Sequence, residues 1–125
     1  NIISESVPEK YKRLTHPSRR TFQAIRIEVN KELDVLPSSL NDAIDILNKD
    51  GVISVITFHS LEDKICKNVF KKRSEISEVA KNLPIIPEEL KPDIKMLKKI
   101  KPTKEEIKEN KRSRSATLRC AIKLR

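Results

Sequence analysis

The sequence predicts an α/β domain, because a helical pattern, a buried strand and a second helical pattern follow one another along the chain. The central element is VISVITF at residues 52–58, a run of mostly apolar and β-branched side chains. Such a run is typical of a strand that is covered on both faces, as in a parallel sheet. Helical patterns occupy residues 19–50 before the strand and begin again at Ser60 after it.

The helical region before the strand is predicted to break at Pro37. In its first part, apolar side chains recur every three or four residues and form one face. These side chains are Phe22, Ile25, Val29, Leu33 and Leu36. Ser38 suits the N-cap of a second helix, and Gly51 suits the left-handed residue that ends it. Residues 1–18 are polar, and their two prolines predict that they hold no regular structure.

The region after the second helical pattern differs in composition. Residues 82–93 are proline-rich and predict a loop, whereas residues 94–101 predict a short basic strand. Thr103 and Glu106 have the spacing of a capping box, which predicts a short helix. Residues 115–124 alternate with period two, which predicts a half-exposed antiparallel strand. One face consists of Ala116, Leu118, Cys120, Ile122 and Leu124, and the other of Thr117, Arg119, Ala121 and Lys123.

The charge balance points to a polyanionic partner. In 125 residues, enough for one hydrophobic core, 27 Lys and Arg stand against 18 Asp and Glu, a formal net charge of +9. Basic side chains displace counterions from a phosphate backbone, so this excess favours a polyanion as a partner. The alternative is a lysine-rich chain that is merely soluble, and composition alone leaves both interpretations open.

Two shortages in the composition narrow the possible functions. Aromatic residues make up 3% of the chain, which disfavours a module that stacks successive bases on aromatic platforms. Gly51 is the single glycine. A phosphate or dinucleotide loop needs several glycines so that its backbone can approach the ligand. We therefore expect no such loop in this chain.

The remaining composition disfavours a metal site and a membrane segment. Cys66 and Cys120 lie far apart in apolar patterns, which favours reduced, buried thiols in a cytoplasmic protein over a disulfide or a metal pair. A zinc site needs three or four Cys or His ligands, and the only histidines are His16 and His59. No apolar run approaches the roughly 20 residues that span a bilayer.

Three blocks of the sequence closely resemble the C-terminal part of the bacterial MraW/RsmH family. The blocks are HPSRRTFQAIRIEVNKEL, DGVISVITFHSLEDKICKNVF and KPTKEEIKENKRSRSATLRCA, in the family's order. The family pattern has Ser at the position of Thr57 and often an aliphatic residue at that of Cys66. Its members are S-adenosylmethionine-dependent methyltransferases that modify a cytosine N4 in the 16S rRNA of the small ribosomal subunit. The resemblance implies this activity for a longer parent of the chain.

The resemblance also implies a fold and a division of the chain. The expected fold is the C-terminal portion of a Rossmann-like class I methyltransferase, with an inner parallel strand, flanking helices and a terminal antiparallel hairpin. Residues 1–18 would be the exit of the family's helical substrate-recognition insert, and residues 19–125 the C-terminal part of the core. The family's cofactor loop precedes these blocks, in keeping with the single glycine. We therefore expect this chain alone to be inactive and to bind no S-adenosylmethionine.

His59 and Ser60, which end the apolar run, are the first candidate site residues. Adjacent residues cannot easily place an imidazole nitrogen against a serine hydroxyl, so a nucleophile–base pair is disfavoured. Ser60 and Asp63 suit an N-cap followed by an acidic first turn. Ligands of open α/β sheets bind beyond the carboxyl ends of the strands, which makes His59 and Ser60 candidates for contact with the substrate RNA. No residue is identified as a catalytic base.

Five arginines are the other candidates for RNA contact. Arg19, Arg20 and Arg26 share part of one helix surface, where RNA phosphates and ion pairs with glutamates are competing interpretations. The resemblance places Arg112 and Arg114 in the family's Asn-x-Arg-Ser-Arg-Ser block, and arginines beside hydroxyls suit phosphate.

Two functions of other classes stay open at this point. One is a free-standing basic module that binds RNA or the ribosome without enzymatic activity. The other is a structural piece that associates with itself through an exposed sheet edge.

Overall fold

The structure, a computed structural model, describes residues 2–12, 16–78 and 80–125. The chain divides into two compact units, Asn1–Asp34 and Val35–Arg125. Each unit has its own internal packing. Among the described residues, no helix combines the length and the apolar composition needed to cross a membrane.

The first unit is helical. Helices α1 (Ile2–Glu5) and α2 (Glu9–Lys12) are one turn each, and α3 (Ser18–Asn30) is the long element. The prediction that residues 1–18 hold no regular structure is therefore wrong for the two short helices. The assignment of residues 1–18 to a substrate-recognition insert stays a prediction, and residues 1 and 13–15 of that segment lie outside the described residues.

The break between the first two long helices lies at Lys31 and not at Pro37. Lys31 takes a left-handed conformation with φ 51°, and its backbone N–H donates to the carbonyl groups of the last turn of α3. Helix α4 (Glu32–Asp45) then contains Pro37. A proline removes one helical hydrogen bond, but here it falls in the second turn, before the turns that bury Leu40 and Ile44. Burial of these later turns favours a continuous helix, and Ser38 is not its cap.

Gly51 is needed for space and not for a left-handed conformation. The left-handed residue of this turn is Asp50, with φ 67°, and Gly51 has no positive φ. The Gly51 N–H donates to the carbonyl of Asn48 at 2.9 Å. A Cβ atom at position 51 would lie only 2.8 Å from that backbone oxygen, so any larger residue would force the turn apart.

The second unit contains a three-stranded antiparallel sheet. Strands β1 (Val52–Thr57), β2 (Ile94–Met96) and β3 (Thr117–Lys123) lie in the order β1-β3-β2. The antiparallel pairing of β2 and β3 confirms the predicted terminal hairpin. The predicted basic strand over residues 94–101 is shorter than expected, and its far end returns to β3 through a bridge between Ile100 and Leu118.

Strand β1 was predicted to be an inner parallel strand, and the structure does not show this. It pairs only with β3, antiparallel, with Val52 opposite Ile122 and Thr57 opposite Thr117. Within residues 2–12, 16–78 and 80–125 no strand lies on its other edge. Its outward side chains Val52 and Ile56 are 55% and 59% exposed, so the strand is covered on one face only.

The core lies under one face of the sheet. Helix α5 (Ser60–Ser74) contributes Cys66 and Phe70, α4 contributes Leu40 and Ile44, and β2 and β3 contribute Ile94 and Ala121. The alternation predicted for β3 is confirmed. The buried side of β3 is nevertheless the polar one, because Arg119 and Lys123 turn toward the core and Leu118, Cys120 and Ile122 stay half-buried on the open face.

Charged side chains on the covered face are paired across elements. Arg73 of α5 donates to both carboxylate oxygens of Asp93, and its other nitrogens reach Asp45 and Asn41 of α4. Lys123 donates to Asp93 at 3.1 Å. Burial acts to raise the pKa of Asp93, but hydrogen bonds from Arg73 and Lys123 outweigh it and lower the pKa. One network of ion pairs around Arg73 and Asp93 thus connects α4, α5 and β3.

The last helix confirms the capping-box spacing in part. Helix α6 (Lys104–Glu109) begins after Thr103, whose hydroxyl accepts a hydrogen bond from the N–H of Glu106 at 3.2 Å. A 3-10 turn, Lys111–Ser115, connects this helix to β3. The segment predicted to be a loop, residues 82–93, contains one 3-10 turn, Glu88–Leu90, and a further 3-10 turn, Ala80–Asn82, ends at its first residue.

Candidate nucleic-acid-binding site

The carboxyl end of β1 is shaped by His59, which is the N-cap of α5. The imidazole Nδ1 accepts a hydrogen bond from the N–H of Glu62, and the Glu62 carboxylate accepts from the N–H groups of Phe58 and His59. This reciprocal arrangement satisfies N–H groups that a helix start leaves without partners. The sequence predicted Ser60 as the cap. Ser60 is instead the first helical residue and is exposed.

The His59 ring is held in place by the hydrogen bond at Nδ1, and its other nitrogen, Nε2, makes no hydrogen bond to the described residues. Its side chain is 16% exposed, and Nε2 lies 3.1 Å from a Glu62 carboxylate oxygen. That approach does not have hydrogen-bond geometry, so among the described residues the buried Nε2 has no hydrogen-bond partner. Because Nδ1 accepts from a backbone N–H, the proton of the neutral ring is assigned to Nε2. The ring therefore carries a polar nitrogen that is buried beside the Glu62 carboxylate.

The register of the sheet brings a basic turn to the same end. Because Thr57 pairs with Thr117, the end of β1 lies beside the start of β3. The 3-10 turn Lys111–Ser115 directly precedes β3, so Arg112 and Arg114 belong to this end of the sheet, and both are exposed. His59, Ser60, Arg112 and Arg114, which sequence reasoning selected separately, are thus carried on neighbouring segments.

Local hydrogen bonds explain the shape of this basic turn. The Asn110 side chain accepts from the N–H of Arg112 at 3.1 Å, and the Ser113 hydroxyl donates to the carbonyl of Asn110 at 2.8 Å. Ser113 is buried, which anchors the middle of the turn and leaves the flanking arginines outside. In the Asn-x-Arg-Ser-Arg segment, Asn110 and Ser113 therefore fix the shape of the turn, while Arg112 and Arg114 give it its positive charge.

Beneath this end lies an ion pair that sequence reasoning missed. Arg119 of β3 donates two hydrogen bonds to Asp63 in the first turn of α5, at 2.7 and 3.0 Å. Hydrogen bonding from Arg119 lowers the pKa of Asp63. Thr57 lies within 3.5 Å of the same carboxylate, and Lys101 donates to the Thr117 hydroxyl. The one indication of this ion pair in the sequence is that Arg119 interrupts one face of the alternating pattern of β3.

The arginines of α3 belong to the first unit. Arg19 and Arg20 are exposed. Arg26 is paired with Glu32 through two hydrogen bonds of 3.0 and 3.2 Å, so the predicted alternative of an ion pair holds for this residue. The side chains around Arg19 line a shallow depression of about 600 Å³.

A larger depression in the second unit is a weaker candidate for a binding site. It measures about 740 Å³ and lies between α5 and the segment around Glu89 and Lys91. Arg73 in its wall is already bound to carboxylates, and Arg125 donates to the carbonyl groups of Glu88 and Lys91. The guanidinium groups of both arginines are thus already hydrogen-bonded to oxygen atoms of the protein itself.

Comparison with known proteins identifies the family. A model described as the MraW methylase family matches residues 1–124. The chain is 52% identical over 126 residues to a ribosomal RNA small subunit methyltransferase H of Lactobacillus delbrueckii subsp. bulgaricus, covering 98% of this chain and 40% of the relative. It is 48% identical over 127 residues to the same-named protein of Finegoldia magna, covering 98% of this chain and 41% of the relative. The chain thus spans about 40% of the length of these relatives, and it belongs to the MraW methylase family.

Proposed function

We propose that this chain is the C-terminal part of an S-adenosylmethionine-dependent methyltransferase that methylates N4 of a cytosine in 16S rRNA. The observation that carries the proposal is the match of 98% of the chain to relatives named as ribosomal RNA small subunit methyltransferases. The resemblance of the three quoted blocks to the family implies the finer assignment, the cytosine N4 atom. The small ribosomal subunit is then the partner, and the cytoplasm is the expected location.

The open side of the sheet supports the view that further protein covers it. Val52, Ile56 and Ile100 are more than half exposed, and they lie on the same face as Leu118 and Ile122. Sheets with one apolar face left open are costly in water, since burying apolar area stabilises by roughly 25 cal/mol per Å². In the proposed parent, strands parallel to β1 and helices on this face complete a Rossmann-like core.

In the proposed parent the target base binds beyond the carboxyl end of β1. Arg112 and Arg114 hold RNA phosphates there, because their turn is fixed by Asn110 and Ser113 while their side chains reach solvent. His59 orients the base, since it stands at the carboxyl end of β1 and its Nε2 has no hydrogen-bond partner among the described residues, although the Glu62 carboxylate lies 3.1 Å away. Ser60 offers a hydroxyl at the same helix start. No residue of this chain is assigned as the base that removes the amine proton.

S-adenosylmethionine supplies the methyl group in this proposal, and its site is not in this chain. The single glycine, Gly51, sits in a tight turn against the backbone of Asn48. A glycine-rich cofactor loop needs backbone that approaches the ligand, and no such segment is available. The chain alone is therefore expected to be inactive.

The proposal is tested by methyl transfer from labelled S-adenosylmethionine to small ribosomal subunits that lack the modification. The longer protein is expected to label 16S rRNA, and nucleoside mass spectrometry is expected to find N4-methylated cytidine. Labelling of a different base or atom would contradict the cytosine-N4 assignment. Tight, saturable binding of the longer protein to RNA without any methyl transfer would favour the alternative of a basic RNA-binding module. Sedimentation at several concentrations tests self-association through β1.

A further inference from the structure

The exposed aromatic ring of Phe22 is the starting point. The sequence pattern placed Phe22 on the apolar face of a helix, but its side chain in α3 is 62% exposed. The chain has only three phenylalanines. An exposed aromatic ring in a chain so poor in aromatic residues calls for a physical explanation.

Two arginines lie on the same side of the helix as this ring, and one of them, Arg26, is paired with Glu32. Arg19 is three residues before Phe22 and Arg26 is four residues after it, so both lie on the same side of the helix. Residues 18–27 contain no aspartate or glutamate, and the first acidic residue of α3 is Glu28. The ring is therefore flanked by guanidinium groups on a stretch of helix without an opposing carboxylate of its own.

The same side chains line the depression of about 600 Å³ in the first unit. Its lining consists of Ser18, Arg19, Arg20, Phe22, Gln23 and Arg26. A volume of roughly 300–1,000 Å³ is usual for sites that take a small organic group. Gln23, beside the ring, carries an amide that can both donate and accept hydrogen bonds.

An aromatic face, arginines and an amide are the groups that recognise a single-stranded nucleotide. Unpaired bases stack on aromatic side chains, arginines contact the phosphates, and an amide contacts the base edge. A duplex keeps its bases stacked on one another and cannot use the ring in this way. An apolar partner alone would not need the surrounding guanidinium groups.

We propose that Phe22, with Arg19 and Gln23, forms a stacking site for one unpaired nucleotide of the RNA. This inference rests on the proposed function, which makes RNA the substrate, and it adds a specific binding residue in the first unit. A single ring holds one base, which is compatible with the low aromatic content that disfavours a platform for several bases.

Tryptophan substitution tests the stacking directly, because the chain contains no tryptophan. In the Phe22→Trp variant, emission of the new indole is expected to be quenched when a single-stranded oligoribonucleotide binds, and not by a duplex of the same sequence. Val29→Trp is the matched control, since Val29 lies on the same helix, is 74% exposed and is absent from the depression. Its emission is expected to stay unchanged. Saturating single-stranded RNA without quenching at position 22, or with equal quenching at both positions, would overturn the proposal.

Affinity measurements separate stacking from charge. Phe22→Leu is expected to weaken single-strand binding about 5- to 150-fold, the range for loss of one stacked base, and to leave the salt dependence unchanged. Arg19→Gln is expected to reduce the slope of log affinity against log salt by about 0.7. Phe22→Leu binding as tightly as the wild type would contradict the proposal. These binding results do not depend on methyl transfer, so the stacking site and the enzymatic proposal can fail independently.

Discussion

Arg119→Ala is expected to lower the free energy of unfolding of the chain by about 3 kcal/mol. The Arg119 side chain is 8% exposed and pairs with Asp63, which is 26% exposed. Breaking a buried ion pair leaves one charge without its partner, and this typically costs about 3–5 kcal/mol. We expect a loss at the lower end of this range because the Asp63 side chain is partly exposed to water. Urea denaturation followed by circular dichroism measures the change.

The surface pair between Lys91 and Glu88 is the matched control. Both side chains are largely exposed, at 45% and 74%. Exposed pairs contribute about 0–1 kcal/mol, so Lys91→Ala is expected to leave unfolding almost unchanged. A loss from Arg119→Ala as small as the one expected from Lys91→Ala would show that the inner pair does not stabilise the unit.

The same pair predicts a dependence of stability on pH. Hydrogen bonding from Arg119 holds the pKa of Asp63 below its ordinary value in the folded chain. Because the pKa of Asp63 is lower in the folded chain than in the unfolded chain, the pair stabilises the fold fully above the unfolded pKa, near 3.9. This stabilisation is lost as the pH falls through the folded pKa. In Arg119→Ala the part of the acid sensitivity that Asp63 contributes is expected to disappear.

In the proposed full-length methyltransferase, His59→Ala is expected to reduce methyl transfer about 5- to 150-fold. An unpaired polar contact to the substrate costs about 1–3 kcal/mol, and 1.4 kcal/mol is a factor of ten. The alanine variant also loses the helix cap, which alone costs about 0.5–2 kcal/mol of stability. Activity is therefore measured per folded molecule, with single-turnover transfer to small ribosomal subunits.

His59→Asn separates the two roles of this residue. Asparagine is a good N-cap and keeps an acceptor for the Glu62 N–H, but it lacks the nitrogen at the position of Nε2. We expect near-normal stability together with the loss of activity. Full activity in His59→Asn, with reduced stability in His59→Ala, would make His59 a structural cap only.

The elements that could be predicted from sequence are those with a local signal. The alternation of β3, the cap at Thr103 and the helical start at Ser60 each follow from a few neighbouring residues, and all three are confirmed. The exchange of roles between Ser60 and His59 was missed, because an imidazole acceptor paired with Glu62 competes with the more common serine cap.

Long-range pairing explains most of the other differences. Arg119 and Lys123 lie on the covered face of β3 because Asp63 and Asp93 meet them from other elements, which no local pattern reveals. The parallel neighbours expected for β1 require strands that the described residues do not contain. The same holds for the site: His59, Arg112 and Arg114 were selected singly, and only the β1–β3 register brings their segments to one end of the sheet.

Binding of S-adenosylmethionine shows whether the cofactor site lies in this chain or in another part of the protein. Isothermal titration calorimetry is applied to the 125-residue chain and to the proposed longer protein under the same conditions. If this chain is the C-terminal part of a methyltransferase whose cofactor loop lies elsewhere, the longer protein binds the cofactor and the chain alone gives no binding heat. Saturable binding of S-adenosylmethionine by the chain alone would contradict that account.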